Sequence, residues 1–94
     1  MGCGRVGSTL ARDFQNLGHT VAVIDQDREA FRRLGPDFTG EAVAGVGFDR
    51  DTLLEAGIER ADAFAAVSNG DNSNIIAARV ARETYGVKNV VARI

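Results

Sequence analysis

The residues that could do chemistry stand at the start of the chain. Gly2, Gly4 and Gly7 form G-C-G-R-V-G, directly before a helical pattern. A G-x-G-x-x-G turn leading into a helix suits a phosphate ligand. The first glycine makes the tight turn, the second lets phosphate approach the backbone, and the third lets helix and strand pack closely. Free N–H groups at the helix start then face the anion. In a chain with 11 glycines the spacing alone is a weak signal, and a plain glycine-rich turn would read the same way. Asp25 adds a second signal. It ends V-A-V-I-D, 18 positions after Gly7, where a dinucleotide-binding βαβ unit carries an acidic residue that accepts hydrogen bonds from ribose hydroxyls. Its charge would repel a 2′-phosphate, so NAD or an adenosine nucleotide is expected rather than NADP. Asp25 could equally cap the segment after it, and the two roles are compatible.

The rest of the chain must position these groups. Arg5 to Leu17 has apolar residues at Val6, Leu10, Phe14 and Leu17, at helical spacing, with Gly18 where a left-handed cap would sit. Thr20 to Asp25 is a β-branched run suited to a strand buried on both faces. Asp25 to Leu34 reads as a short helix with Ala30, Phe31 and Leu34 on one side, stopped by Gly35-Pro36. Glu41 to Val46 is a weaker strand. Asp49 caps a helix to Ala56, ended by Gly57. Ala63 to Val67 is a strand, and S-N-G-D-N a turn. Asn72 or Ser73 then caps a long helix through Tyr85, ended by Gly86, and Asn89 to Ile94 is the last strand. Strands alternating with helices predict an α/β fold with a parallel sheet covered on both faces.

This order begins with a helix. In a Rossmann-like doubly wound sheet of strand order 3-2-1-4-5, a central first strand precedes the glycine turn, yet only Met1 does so here. The reading is therefore a single partial domain over residues 1–94, lacking its central strand and the elements after strand five. Met1 is expected to be the last residue of that strand, the reading frame starting upstream. The alternatives are direct pairing of its two neighbours or a strand donated by another chain.

Composition narrows the function classes. The chain has 94 residues, 45% hydrophobic and 26% charged, as expected of one ordinary globular domain. A net charge of −2 and a pI near 5.3 argue against nucleic-acid binding through a basic face. No apolar run approaches the ~20 residues of a membrane span, and no signal-peptide pattern opens the chain. One cysteine and one histidine exclude an internal disulfide and a four-ligand zinc site supplied by this chain alone. A cytoplasmic location is expected.

Five segments then carry a resemblance. G-C-G-R-V-G, V-I-D-Q-D, L-L-E-A-G-I-E-R-A-D-A, S-N-G-D-N-S-N-I and V-V-A-R-I, in that order, resemble the N-terminal nucleotide-binding domain of Trk/Ktr-type potassium uptake regulators, the TrkA-N or regulator-of-K⁺-conductance domain. The third and fourth segments, with A-G-I-E-R-A-D-A and S-N-G-D-N-S-N, are more specific than the glycine loop. The resemblance implies a cytosolic regulatory subunit without catalysis. It would bind NAD(H), or alternatively ATP or ADP, and gate a membrane K⁺ transporter or channel as a dimer or octameric ring. By position, the backbone of Gly2, Cys3, Gly4, Arg5 and Val6 would hold the phosphates, with Gly7 packing helix on strand and the Arg5 side chain reaching terminal phosphates. Asp25 would hold the adenosine ribose. Ser68 and Asn69 would lie beside the distal half of the ligand, and Arg93 would face the same cleft.

Two departures accompany it. Many family members place Gly-Asp or Gly-Asn near the adenine, where this chain reads Gly45-Val46-Gly47-Phe48, which puts a polar adenine contact in doubt. Family proteins also continue into a sixth strand, a crossover helix and a further ligand-binding domain.

Other residues are given plainer roles. Cys3 is a small filler of the loop, or a redox sensor if the helix start lowered its pKa. Asp27 is a helix cap or a second ribose ligand, and His19 is exposed. The competing class is an NAD-dependent oxidoreductase, or a K⁺/H⁺ antiporter using the same module. Tyr85 and Lys88 straddle Gly86 at three residues apart, unlike the Tyr-x-x-x-Lys of short-chain dehydrogenases, and no acid–base pair or G-K-[ST] accompanies the glycine loop. The chain is therefore not expected to be an enzyme.

Overall fold

The computed structural model describes all residues, Met1–Ile94. Helix α1 spans Arg5–Asn16 and strand β1 Ala22–Asp25; strand β2 is Glu41–Ala44 and helix α2 Arg50–Glu55. Strand β3 covers Ala63–Ala66, helix α3 Asp71–Arg79 and strand β4 Asn89–Ala92. Two 3₁₀ turns, Arg28–Leu34 and Ile58–Arg60, and one π turn, Val80–Thr84, complete the order.

β1 pairs with β2 and β3 with β4, both in parallel, as separate two-stranded sheets. Residues 1 and 2 lie between them. Met1 N donates to Ala65 O at 2.8 Å and its carbonyl accepts Val67 N–H at 2.9 Å. Gly2 N donates the other way, to Ile24 O at 2.7 Å. Successive residues thus bond to opposite neighbours, as in a parallel strand, and the order is β2, β1, residues 1–2, β3, β4. This is the expected Rossmann-like doubly wound order, and β1 and β3 do not pair directly.

Adjacent residues of β1 face opposite layers. Val23 packs with Cys3, Ala11, Ala30 and Leu34 under α1 and the first 3₁₀ turn. Ile24 packs with Val43, Leu53, Ile58, Phe64 and Ala77 under α2 and α3. The burial of both faces explains why V-A-V-I reads as an unbroken apolar run.

Three expected elements differ. The segment before Gly35 is a 3₁₀ turn from Arg28, not a helix from Asp25. Asp27 caps it through Glu29 N, and the Ala30 carbonyl, which an α-helix would direct to Leu34 N–H, accepts the Cys3 thiol at 3.3 Å. The long helix starts after Gly70, not after Asn72 or Ser73, because the Gly70 carbonyl accepts Asn74 N–H at 2.9 Å. Its last turn widens to a π turn, with Tyr85 N–H reaching Val80 O at 3.4 Å. The strands are also shorter at their ends than expected, by one or two residues at most sites.

Candidate functional site

The C-terminal ends of the strands meet at the glycine loop. Gly2 has φ +100°, a left-handed value that glycine adopts freely. A Cβ there would lie 2.7 Å from Ser68 N, so the loop also threads tightly past β3. Gly7 sits where a Cβ would collide with the Gly2 carbonyl, which seats α1 directly on the loop. Gly4 is different. It has an ordinary φ of −81° and nothing within 4 Å of the place a Cβ would occupy. Neither strain nor crowding inside the protein calls for a glycine there, and its backbone stays open to approach from outside.

Gly4 is the N-cap of α1 and offers no capping side chain. The first N–H groups of a helix, here those of Arg5, Val6 and Gly7, have no intrahelical acceptor and carry the positive end of the helix dipole. Arg5 and Val6 are exposed at this end. The Gly2 and Cys3 N–H groups, assigned from sequence to phosphate, are engaged elsewhere. Gly2 N–H bonds to Ile24 O, and Cys3 N–H donates to Asp25 Oδ2 at 2.8 Å.

Asp25, half-buried at the end of β1, therefore holds the loop. Its Oδ1 accepts Asp27 N–H at 2.8 Å. An ionised carboxylate has about four acceptor sites, so two remain for a ligand. Asp27 is the cap of the next turn, and its Oδ1 accepts Glu29 N–H at 3.0 Å. Cys3 is fully buried. Burial, and then the nearby Asp25 charge, push its thiol above the ordinary cysteine value, so it stays protonated and packs as a filler.

A cleft of about 250 Å³ opens at this edge, lined by Gly2, Asp25 and Ser68, and by Gln26, Gly45, Gly47 and Phe48. Its volume lies just below the ~300–1,000 Å³ of typical small-molecule pockets. Asn69 and Arg93 are exposed and not part of its lining. A second groove of about 300 Å³, between α3 and β4, contains none of the residues assigned to the nucleotide.

Asn74 was not anticipated and organises the far side. It is completely buried. Its Oδ1 accepts Ser68 N–H at 3.0 Å and Ser68 Oγ–H at 2.7 Å, and its Nδ2 donates to Ser68 O and to Arg93 O, each at 2.9 Å. One side chain thus joins the ends of β3 and β4 and sets the Ser68 turn. The signal was present in the sequence: Asn74, Ala77 and Ala81 recur at helical spacing on a buried face.

The donor set fits a phosphate-bearing nucleotide. An open helix start, an open glycine and a partly free carboxylate share one edge of the sheet. No helix of the chain is long and apolar enough to cross a membrane.

Known proteins share this sequence pattern. The sequence model described as the TrkA-N domain matches residues 1–94. The chain is 71% identical over its full length to a Trk system potassium uptake protein TrkA of Streptomyces coelicolor, covering 42% of that protein. It is 39% identical over 87% of its length to a TrkA homolog of Pyrococcus abyssi, covering 36% of it. It is 34% identical over its full length to the Vibrio alginolyticus TrkA, covering 20% of it. The chain thus spans less than half the length of these relatives.

Proposed function

The chain belongs to the TrkA-N domain family, and on that premise we propose that it is a nucleotide-binding regulatory domain of a potassium uptake system. The observation that carries this reading is the uncapped start of α1 at Gly4, open to solvent beside Asp25. The relatives named as Trk system potassium uptake proteins supply the physiological context.

NAD(H) is the favoured ligand, with ATP or ADP as the alternative. The N–H groups of Gly4, Arg5 and Val6 would hold the phosphates, since Gly2 and Cys3 use theirs to build the loop. The Arg5 side chain, exposed at the helix start, would reach a terminal phosphate. Asp25 would accept the ribose hydroxyls on its remaining acceptor sites, and its charge disfavours a 2′-phosphate. Ser68, Asn69 and Arg93 belong to the distal side, with Ser68 in the cleft wall.

The domain regulates rather than catalyses. Ligands of different length would favour different separations of the β1 and β3 ends, and only such differential affinity moves a conformational equilibrium. A coupling of about 1–3 kcal/mol to a partner is ordinary for such switches. The partner is a membrane K⁺ transporter or channel, approached from the cytoplasmic side by a homo-oligomer of the full-length protein.

The test is ligand titration of the full-length protein with NADH, NADPH, ATP and AMP, read by calorimetry. NADH is expected to bind more tightly than NADPH. Arg5→Ala is expected to weaken ATP more than AMP; equal losses would remove the phosphate role of Arg5. Absence of binding by all four ligands would overturn the reading.

A further inference from the structure

The cleft has a wall that neither the glycine loop nor Asp25 supplies. On the β2 side it is formed by Gly45, Gly47 and Phe48. The two glycines answer to crowding, because a Cβ on Gly45 would strike the Thr52 side chain and one on Gly47 the Met1 side chain. This wall is therefore backbone plus one aromatic ring.

The turn that carries the ring is held from both ends. Gly45 N–H bonds to Asp25 O, and Asp49 N–H to Val46 O, each at 3.0 Å. Asp49 Oδ2 accepts Thr52 N–H at 3.1 Å and Thr52 Oγ–H at 3.0 Å, anchoring the start of α2 directly after the ring. Phe48 remains 37% exposed at the cleft. A large apolar ring on a braced turn, partly uncovered in a concave site, is a surface suited to a flat ligand.

The sheet topology says which part of a nucleotide would lie there. In this strand order the acidic residue ending β1 takes the adenosine ribose, and the phosphates go to the glycine loop. The base then extends from Asp25 away from the loop, toward β2 and the Gly45–Phe48 wall. Stacking on an aromatic face is tolerant of base identity, since every base has a π-face.

We propose that Phe48 is the platform on which the nucleobase stacks, and that this site selects its ligand by ribose and phosphate rather than by the edge of the base. The inference rests on the nucleotide-binding reading above. It implies that ATP and GTP are held nearly alike.

The experiment is calorimetric titration of the full-length protein and its Phe48→Ala, Phe48→Leu and Phe48→Tyr variants with ATP, GTP and NADH. ATP and GTP are expected to differ by less than about tenfold. Phe48→Ala should weaken all three ligands by roughly 5- to 150-fold, the range found when a stacking aromatic is removed. Phe48→Leu, which keeps apolar bulk in the turn, should lose binding similarly, and Phe48→Tyr should retain it. Unchanged affinity in both the Ala and Leu variants, or tight ATP with no GTP binding in the parent protein, would overturn the proposal while leaving the nucleotide reading intact. Failure of the parent protein to bind any of the three would overturn both.

Discussion

The Cys3 N–H donates to Asp25 Oδ2 at 2.8 Å, across 22 positions of sequence. The carboxylate expected to meet the ribose is therefore also the clamp that shapes the phosphate loop. Asp25→Asn tests both roles, because an amide has one acceptor atom where Cys3 and Asp27 present two donors. The expected outcome is a loss of about 1–3 kcal/mol in stability together with weaker binding of every adenosine ligand. The preference for NADH over NADPH should shrink. Chemical denaturation and calorimetry measure the two effects separately.

Gly4 and Gly7 make a contrasting pair. Gly4→Ala places its Cβ in open space at an ordinary φ, and replacing glycine by alanine at an N-cap costs about 0.5–1 kcal/mol. Its melting temperature should fall by only about 2–4 °C while nucleotide affinity falls. Gly7→Ala drives a Cβ into the Gly2 carbonyl, so α1 must lift from the loop, and destabilisation of about 1–3 kcal/mol is expected. Equal affinities for Gly4→Ala and the parent protein would show that no ligand approaches that face.

Asn74→Ala removes the four hydrogen bonds that join the ends of β3 and β4. Each partner left buried without a bond costs about 1–3 kcal/mol, so a loss of more than ~3 kcal/mol is expected. Asn74→Asp should not rescue it, although the shape is conserved. An oxygen would then face the Ser68 and Arg93 carbonyls in place of a donor. Urea denaturation of both variants checks this, and near-parental stability of Asn74→Asp would mean that the Nδ2 bonds contribute little.

Cys3 gives a pH prediction. Its thiol titrates above the ordinary value of 9.0 in the folded protein, chiefly through burial. Folding thus favours the protonated thiol. The associated stability is complete below the unfolded-state pKa and is lost as pH rises through the higher folded-state value. Melting temperatures measured from pH 7 to 10.5 should fall more steeply in the parent protein than in Cys3→Ala. The native thiol should also react slowly with iodoacetamide at pH 8, becoming reactive on unfolding; rapid native-state labelling would contradict the burial.

Local signals proved legible where a residue acts on its immediate neighbours. Asp27 and Asp49 are the caps expected of them, each bonding to an N–H two or three residues ahead. Gly18, Gly35, Gly57 and Gly86, expected at the ends of helical segments, all have positive φ. The apolar run before Asp25 became a strand buried on both faces. α3 starts before Asn72 and Ser73, the caps its local sequence predicts, because Asn74 sets that turn by reaching back six residues to Ser68. The 3₁₀ winding at Arg28–Leu34 escaped for a related reason, since the Cys3 thiol that meets the Ala30 carbonyl lies 27 positions away.

The sequence by itself determined the alternation of helices and strands, the glycine turn, the acidic residue at its proper distance and the family. All of these depend on residue types at short, regular spacings. Only the tertiary structure decided which backbone donors of the glycine loop remain available. Gly2 and Cys3 are engaged by Ile24 and Asp25, while Gly4 opens to solvent. Only the structure placed Phe48 in the cleft wall and left the Arg93 side chain outside it. A hydrogen-bonding group or a ring is committed by whatever the fold brings beside it, and those neighbours lie tens of residues away along the chain.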